Sequence, residues 1–334
     1  MQTKKLTVLT EGGRVFGFGH ITRCLSISRH FEDFGMMVEF IVDGDDSILP
    51  ILENQSLILM NWLDKKPLLQ KLQESSFVLI DSLRISNDQI DDIQKLDTVI
   101  IYIDDEKRQN FLEKGFVLDW TILVDKKNYF LPKKENVTYL LGSKYTPLRE
   151  AFAGSNRILI NSEIKRVFIS FGGSDVRNLT AKVLEFLSKN FPSLKKIVVI
   201  GDGFTNTKSI KLFQDKNTTL IYNAHAEEMS SLMNNSDIAI SSGGQTLYEL
   251  VSLGVPTIAI LLVENARDDT EGWTKVGSID YIGNFDDEDL LQKLLVSMKM
   301  LKKQENRQKM QNSSNFMGLN GGKLILDAVM KDSK

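Results

Sequence analysis

Apolar residues fall in short β-branched and aliphatic runs that close on turn residues, and the stretches between them space apolar positions by three and four. In the first half the runs are Leu6 to Thr10, Val38 to Asp43, Leu57 to Met60, Phe77 to Asp81 and Val99 to Asp104. Ile21 to Phe34, Lys66 to Glu74 and Gln89 to Leu96 carry the helical pattern. Strand and helix alternate, as in a parallel doubly wound sheet. From Trp120 to Arg149 the periodicity weakens, with Pro132 and Pro147 interrupting it, and the polar stretch Gly154 to Glu163 follows.

The same alternation then restarts. Strands are expected at Arg166 to Gly172, Lys196 to Gly201, Thr218 to Tyr222, Asp237 to Ser241 and Pro256 to Leu262. Helices are expected at Leu179 to Lys189, Ala226 to Met233, Thr246 to Ser252 and Asp269 to Lys275, and the chain is mainly helical beyond Ile282, with Gly321 and Gly322 ahead of the last helix. This predicts an α/β chain of two Rossmann-like domains, residues 1–155 and 156–334. Ligands of open parallel sheets bind beyond the carboxyl ends of the strands, so the strand-to-helix loops of the two domains are expected to line a cleft.

Composition narrows the function. A length of 334 residues exceeds one ordinary core, in agreement with two domains. A net charge of -3 disfavours nucleic acid as the partner. The single cysteine, Cys24, excludes an internal disulfide and a cysteine-based zinc site, which suits a reduced interior. With no signal-peptide pattern and no run approaching the roughly 18 apolar residues of a membrane span, a cytoplasmic location without membrane association is expected. No interface stripe reveals an oligomeric state.

Three loops carry candidate chemistry. The first strand runs into Glu11-Gly-Gly-Arg-Val-Phe-Gly17-Phe-Gly19-His20, just before a helix. Glycines admit a ligand to the backbone, and a helix start offers unpaired N–H groups to an anion. An NAD fingerprint is one reading, since Asp43 ends the next strand, but Thr22 holds the place of its third glycine. His20 at the helix start is the candidate base, and the helix dipole is expected to hold its pKa at or below the free value. A packing or capping histidine is the alternative.

In the second half, Gly172-Gly173-Ser174-Asp175 and Ser242-Gly243-Gly244-Gln245 both follow a strand and precede a helix. Together they describe a cradle for a diphosphate. Glu249, one turn further on, suits a pair of ribose hydroxyls, or else is a solvated surface glutamate. Asn265 follows the next strand at the same end. Asp81, at a strand end, suits sugar hydroxyls or a cap for the helix near Asn87. Asp104-Asp105-Glu106 invites a metal, but neighbouring acids at a strand end point apart and no third ligand is placed, so neither metal nor cofactor is expected.

These residues resemble the UDP-sugar hydrolase of pseudaminic acid biosynthesis, which removes UDP from UDP-2,4-diacetamido-2,4,6-trideoxy-β-L-altropyranose, and related spore-coat polysaccharide proteins. The resemblance rests on Gly17-Phe-Gly-His-Ile-x-Arg23, Asp81, Asp104-Asp105-Glu106, Gly142-Ser-x-Tyr145-x-x-Leu-Arg149-Glu-x-Phe152, Gly172-Gly-Ser-Asp-x-x-Asn-Leu-Thr180, Ser242-Gly-Gly-x-Thr-Leu-x-Glu249 and Asn265. It implies the glycosyltransferase B type of fold, metal-independent inverting hydrolysis, His20 as base, and Glu249 and Asn265 as nucleotide-sugar contacts. The candidate substrate-binding set is Gly17, Gly19, Asp81, Arg149, Gly172, Gly173, Ser174, Ser242, Gly243, Glu249 and Asn265. Two positions depart from the family. Leu9-Thr-Glu11-Gly-Gly replaces an Arg-x-Asp-x-Ser pattern, and Ala266 replaces a glutamine.

With UDP a stabilised leaving group, one base that activates water suffices, and the N–H groups after Gly172 and Gly243 are expected to hold the departing charge. A glycosyltransferase of the same fold would use an acceptor hydroxyl in place of water. A nucleotide-sugar sensor would have no use for the base.

Overall fold

The computed structural model describes residues 4–105, 112–124, 134–154 and 157–332. They form two compact units, Met1–Arg149 with Asn320–Lys334, and Glu150–Leu319. The boundary expected at residues 155 and 156 lies outside the described residues.

In the first unit β1 (Lys5–Gly12) leads through α1 (Gly19–Asp33) to β2 (Met37–Gly44) and β3 (Ser56–Leu59). Then come α2 (Lys65–Leu72), β4 (Phe77–Asp81), α3 (Asn87–Gln94), β5 (Val99–Ile103), β6 (Gly115–Asp119) and β7 (Val137–Leu141). All seven strands are parallel, in the order β3-β2-β1-β4-β5-β6-β7. Every residue of β4, Phe-Val-Leu-Ile-Asp, is buried, as a central parallel strand with both faces covered requires. Leu9, Val78, Ile80, Ile90, Ile100 and Trp62 share one core cluster. Each apolar side chain buried in this way contributes about 1.5–3 kcal/mol.

The second unit repeats the plan with β8 (Arg166–Ser170), α4 (Leu179–Asn190), β9 (Lys195–Ile200), α5 (Thr207–Leu212) and β10 (Thr218–Tyr222). It continues through α6 (Ala226–Asn234), β11 (Ile238–Ser242), α7 (Gln245–Ser252), β12 (Thr257–Leu261), α8 (Arg267–Lys275) and β13 (Ile279–Asn284). The parallel order is β10-β9-β8-β11-β12-β13. Helices α9 (Leu290–Leu301) and α10 (Gln304–Ser313) complete it. In each sheet the winding reverses once, between β1 and β4 and between β8 and β11, and the crevice at such a reversal is where doubly wound sheets take their ligands.

The last helix, α11 (Gly321–Asp332), was expected in the second domain, yet it belongs to the first unit, where it packs on α1. Thr138 at the start of β7 donates to Asp332 at 3.0 Å. The glycine pair makes the docking possible. A Cβ on Gly321 would lie 2.1 Å from the Thr146 carbonyl oxygen, and one on Gly322 would lie 2.3 Å from the His30 ring. Gly321→Ala is therefore expected to lose about 1–3 kcal/mol of stability by overpacking. Urea denaturation checks this, as a lower midpoint at unchanged slope. Wild-type stability would mean that α11 does not dock there.

No helix among the described residues is long and apolar enough to cross a membrane.

Candidate active site

Beyond β1 the chain doubles back between Gly13 and Gly17, which exchange backbone hydrogen bonds of 2.9 and 2.7 Å. Gly17 stands at φ +78°, a conformation glycine adopts without strain. Asp45 pins the turn by accepting from the Arg14 N–H at 2.9 Å. The chain then enters α1, whose Ile21, Cys24, Ile27 and Phe31 are buried. Anchored in this way, α1 carries His20 and Arg23 three residues apart, a spacing that puts both on one face. That face meets the end of β4 at the winding reversal of the sheet.

Asp81 is the hub there. The His20 Nδ1–H donates to its Oδ1 at 2.8 Å, and Arg23 grips it twice, Nε to Oδ2 at 2.6 Å and Nη2 to Oδ1 at 2.5 Å. Arg23 also pairs with Asp105, and its guanidinium lies 5.2 Å above the Trp120 ring. Burial alone would raise the Asp81 carboxyl, but Arg23 and His20 outweigh it and hold the group well below the usual carboxylate range. An ionised carboxylate only accepts, so the proton of the His20–Asp81 bond sits on Nδ1 and a neutral His20 keeps its Nε2 lone pair free. Arg23 Nη2, 3.2 Å from that Nδ1, is spent on Asp81.

The charge balance corrects the expectation drawn from the helix dipole. Burial opposes the imidazolium, yet the Asp81 charge and hydrogen bond outweigh it, with Arg23 opposing and Asp105 assisting, so the His20 pKa is raised above its ordinary 6.5. A carboxylate in direct contact outweighs the partial charge of a helix end. NMR titration of His20 is expected to give a midpoint above 6.5; one at or below it would mean that the dipole wins. Because the folded pKa is the higher one, the stabilisation is complete below the unfolded pKa and is lost as pH rises through the folded value.

Asp81 is thus turned inward, only 1% exposed and occupied by His20 and Arg23, not presented to a sugar. Nor does it cap α3, whose cap is Ser86 in a reciprocal box with Gln89. Asp105 holds Arg23, Asp104 is buried, and Glu106 lies outside the described residues. Arg149, half-buried, ends the first unit's main segment.

Sequence reasoning passed over Ser82 and Arg84, and read Glu11 only as part of the loop and of the departure from the family pattern. The Ser82 hydroxyl and the Leu83 N–H donate to Glu11 Oε1 at 3.0 and 3.1 Å, while Oε2 is buried without a partner. Arg84 pairs with Asp43 at 2.6 Å and lies 4.9 Å from the centre of the Phe16 ring. Arg23 was within reach of sequence reasoning, because three residues on a helix share a face.

In the second unit both glycine loops sit at the other winding reversal, after β8 and after β11. They differ in what already occupies them. Asp175 Oδ1 and Oδ2 accept from the Leu179 and Thr180 N–H groups at 2.9 and 2.8 Å, so α4 is capped from within. The first turn of α4 itself is thereby closed to an anion, and the N–H groups expected to serve one on this side are those directly after Gly172, ahead of the Asp175 cap. The start of α7 has no side-chain cap, and its Gly244 stands at φ +101° with open space where a Cβ would be. Gly243 must lack a side chain, since a Cβ there would lie 2.6 Å from Ala266 Cβ, and Ser242 is buried beside it. On the β8 side Gly173 is exposed, and Gly172 and Ser174 are half-buried. Asn265 is exposed in the turn Glu264–Ala266. Glu249 is fully buried in α7, not a solvated surface glutamate.

Residues 166–319 match the model of the glycosyltransferase family 28 C-terminal domain. A Campylobacter jejuni protein named UDP-2,4-diacetamido-2,4,6-trideoxy-beta-L-altropyranose hydrolase is 25% identical over 80% of this chain and 95% of its own length. A Helicobacter pylori protein named pseudaminic acid cytidylyltransferase and UDP-2,4-diacetamido-2,4,6-trideoxy-beta-L-altropyranose hydrolase is 26% identical over 75% of this chain. The chain spans 43% of that protein's length, and 58% of that of an uncharacterized Methanocaldococcus jannaschii protein 27% identical over 81% of this chain. Among solved structures, Acinetobacter baumannii MurG superposes with a TM-score of 0.66 at 13% identity, covering 98% of this chain and 99% of that one. With two doubly wound parallel sheets of seven and six strands and this likeness to MurG, the fold is of the glycosyltransferase B type.

Proposed function

We propose that the protein is an enzyme that hydrolyses a UDP-activated 2,4-diacetamido-2,4,6-trideoxyhexose by attack of water with inversion, without a metal ion. The observation that carries the reading is the His20–Asp81 pair, which fixes the Nδ1–H tautomer and leaves Nε2 to take a proton from water. UDP departs as a stabilised diphosphate and needs no general acid. The uncapped start of α7, with Gly243 and Gly244, supplies N–H groups to the departing charge. The names of the Campylobacter and Helicobacter relatives support the substrate class.

A second reading, a UDP-sugar glycosyltransferase, is favoured by the family 28 domain match and by the likeness to MurG. There an acceptor hydroxyl replaces water at the same base. Incubation with a panel of UDP-sugars and no acceptor, followed by NMR, separates the two. Release of UDP together with free sugar is the expected result. Turnover only after an acceptor is added would establish the transferase instead, and no turnover with either would remove both.

Glu249 serves as the ribose contact in this reading. Glu249→Gln is expected to weaken UDP binding by about 1.5–3 kcal/mol, the scale of a hydrogen bond to a charged group. Calorimetry that returned wild-type affinity with a lowered Tm would make the buried carboxylate a packing element only.

A further inference from the structure

Exposed turns take glycine, asparagine, aspartate or serine, residues that suit the backbone and keep contact with water. The turn after β1 breaks that pattern. Between Gly13 and Gly17 it carries Val15, 84% exposed, and Phe16, 37% exposed, and Leu83 in the loop after β4 is 45% exposed. Apolar side chains scattered singly over a surface need no explanation. These three stand on the two loops that flank the winding reversal, next to His20 and Asp81 in the chain.

Polar groups fasten the loops that carry them. Asp45 accepts from the Arg14 N–H on one oxygen and from the Ser47 N–H on the other, both at 2.9 Å, which ties the turn after β1 to the loop after β2. Asp43 accepts from Arg84 at 2.6 Å, and the Arg84 guanidinium lies 4.9 Å from the centre of the Phe16 ring. Glu11 takes the Ser82 hydroxyl and the Leu83 N–H on a single oxygen, so the residues that directly follow Asp81 are held as well. An apolar turn left to itself would fold against the core and leave water. This one is braced in the open beside the base.

We propose that Phe16, together with Val15 and Leu83, determines specificity by receiving the methyl groups of the bound sugar. The proposal rests on the UDP-sugar reading. A 2,4-diacetamido-2,4,6-trideoxyhexose differs from an ordinary hexose in its apolar ends, a methyl at C6 in place of a hydroxymethyl and a methyl on each acetamido group. Such groups are recognised by apolar surface that leaves water with them. A ring already braced by Arg84 has less freedom to lose on contact.

Two pairs of UDP-sugars that differ at one methyl group test this, acetamido against formamido at C4 and 6-deoxy against 6-hydroxy. The wild-type kcat/KM is expected to favour the methyl-bearing member of one pair or both by about tenfold, the lower end of what one such group discriminates in a closed pocket. Phe16→Ser should bring that ratio close to one, whereas Phe16→Leu, which keeps an apolar side chain, should preserve it. A turn that only braces the loop would lower all rates alike and leave the ratio unmoved, which overturns the proposal. Should Phe16→Ser fail to fold, Val15→Ser carries the same comparison at a far more exposed position, with a reduced ratio expected and an unchanged one overturning the proposal. A wild type that handles both members of each pair alike overturns it too and leaves the UDP-sugar reading standing. Release of UDP from none of them, with or without an acceptor, removes both.

Discussion

Asp81→Asn is expected to lower kcat by about 10²–10⁴, as much as removing the base itself. An asparagine can offer its amide N–H to His20 Nδ1, which then accepts and leaves the proton on Nε2, the nitrogen that must be bare. The same change strips Arg23 of a carboxylate that it grips at 2.6 and 2.5 Å. Breaking a buried ion pair costs about 3–5 kcal/mol, and the lower end applies because Asp105 still holds the guanidinium. Kinetics on the folded variant, with a denaturation curve alongside, separates the two losses. Turnover within about threefold of wild type would remove the tautomer argument, whereas a stability loss alone would leave Asp81 a structural partner of Arg23.

His20→Asn tests the base directly. Asparagine has similar reach and keeps a polar group toward Asp81, but it cannot take up the proton, so UDP affinity should persist while kcat falls by about 10²–10⁴. A larger effect on binding than on kcat would make His20 a substrate contact. The wild-type rate should fall on the acid side with an apparent pKa above 6.5, in accord with the raised His20 pKa.

The alternation of apolar runs was enough to read the central strands, because a parallel strand buried on both faces leaves a nearly unbroken apolar stretch such as Phe77–Asp81 or Thr257–Leu261. The strands that escaped lie toward the sheet margins. β7 and β13 border only one neighbour, and their half-buried Thr138, Tyr139, Asp280 and Tyr281 dilute the signal. At the site, the Gly17-Phe-Gly19-His20 loop was legible from local spacing. The pairing of His20 with Asp81, 61 residues away, was not, since it depends on β1 and β4 lying side by side. The dipole argument for the His20 pKa failed for the same reason, as the decisive charge comes from a distant part of the sequence. Asp175 was not legible as the cap of α4, since it lies four and five residues ahead of the Leu179 and Thr180 N–H groups that it accepts from.

The docking of α11 on α1 bears on the order in which a growing chain matures. Residues 150–319 emerge from the ribosome after most of the first unit and before its last helix. At about 5–20 residues per second, the second unit has seconds in which to complete its own sheet. Throughout that interval the helix that carries His20 waits with one flank bare. A nascent chain halted short of Gly321 would thus hold a second unit with its sheet complete while α1 of the first unit still lacked its contact with α11.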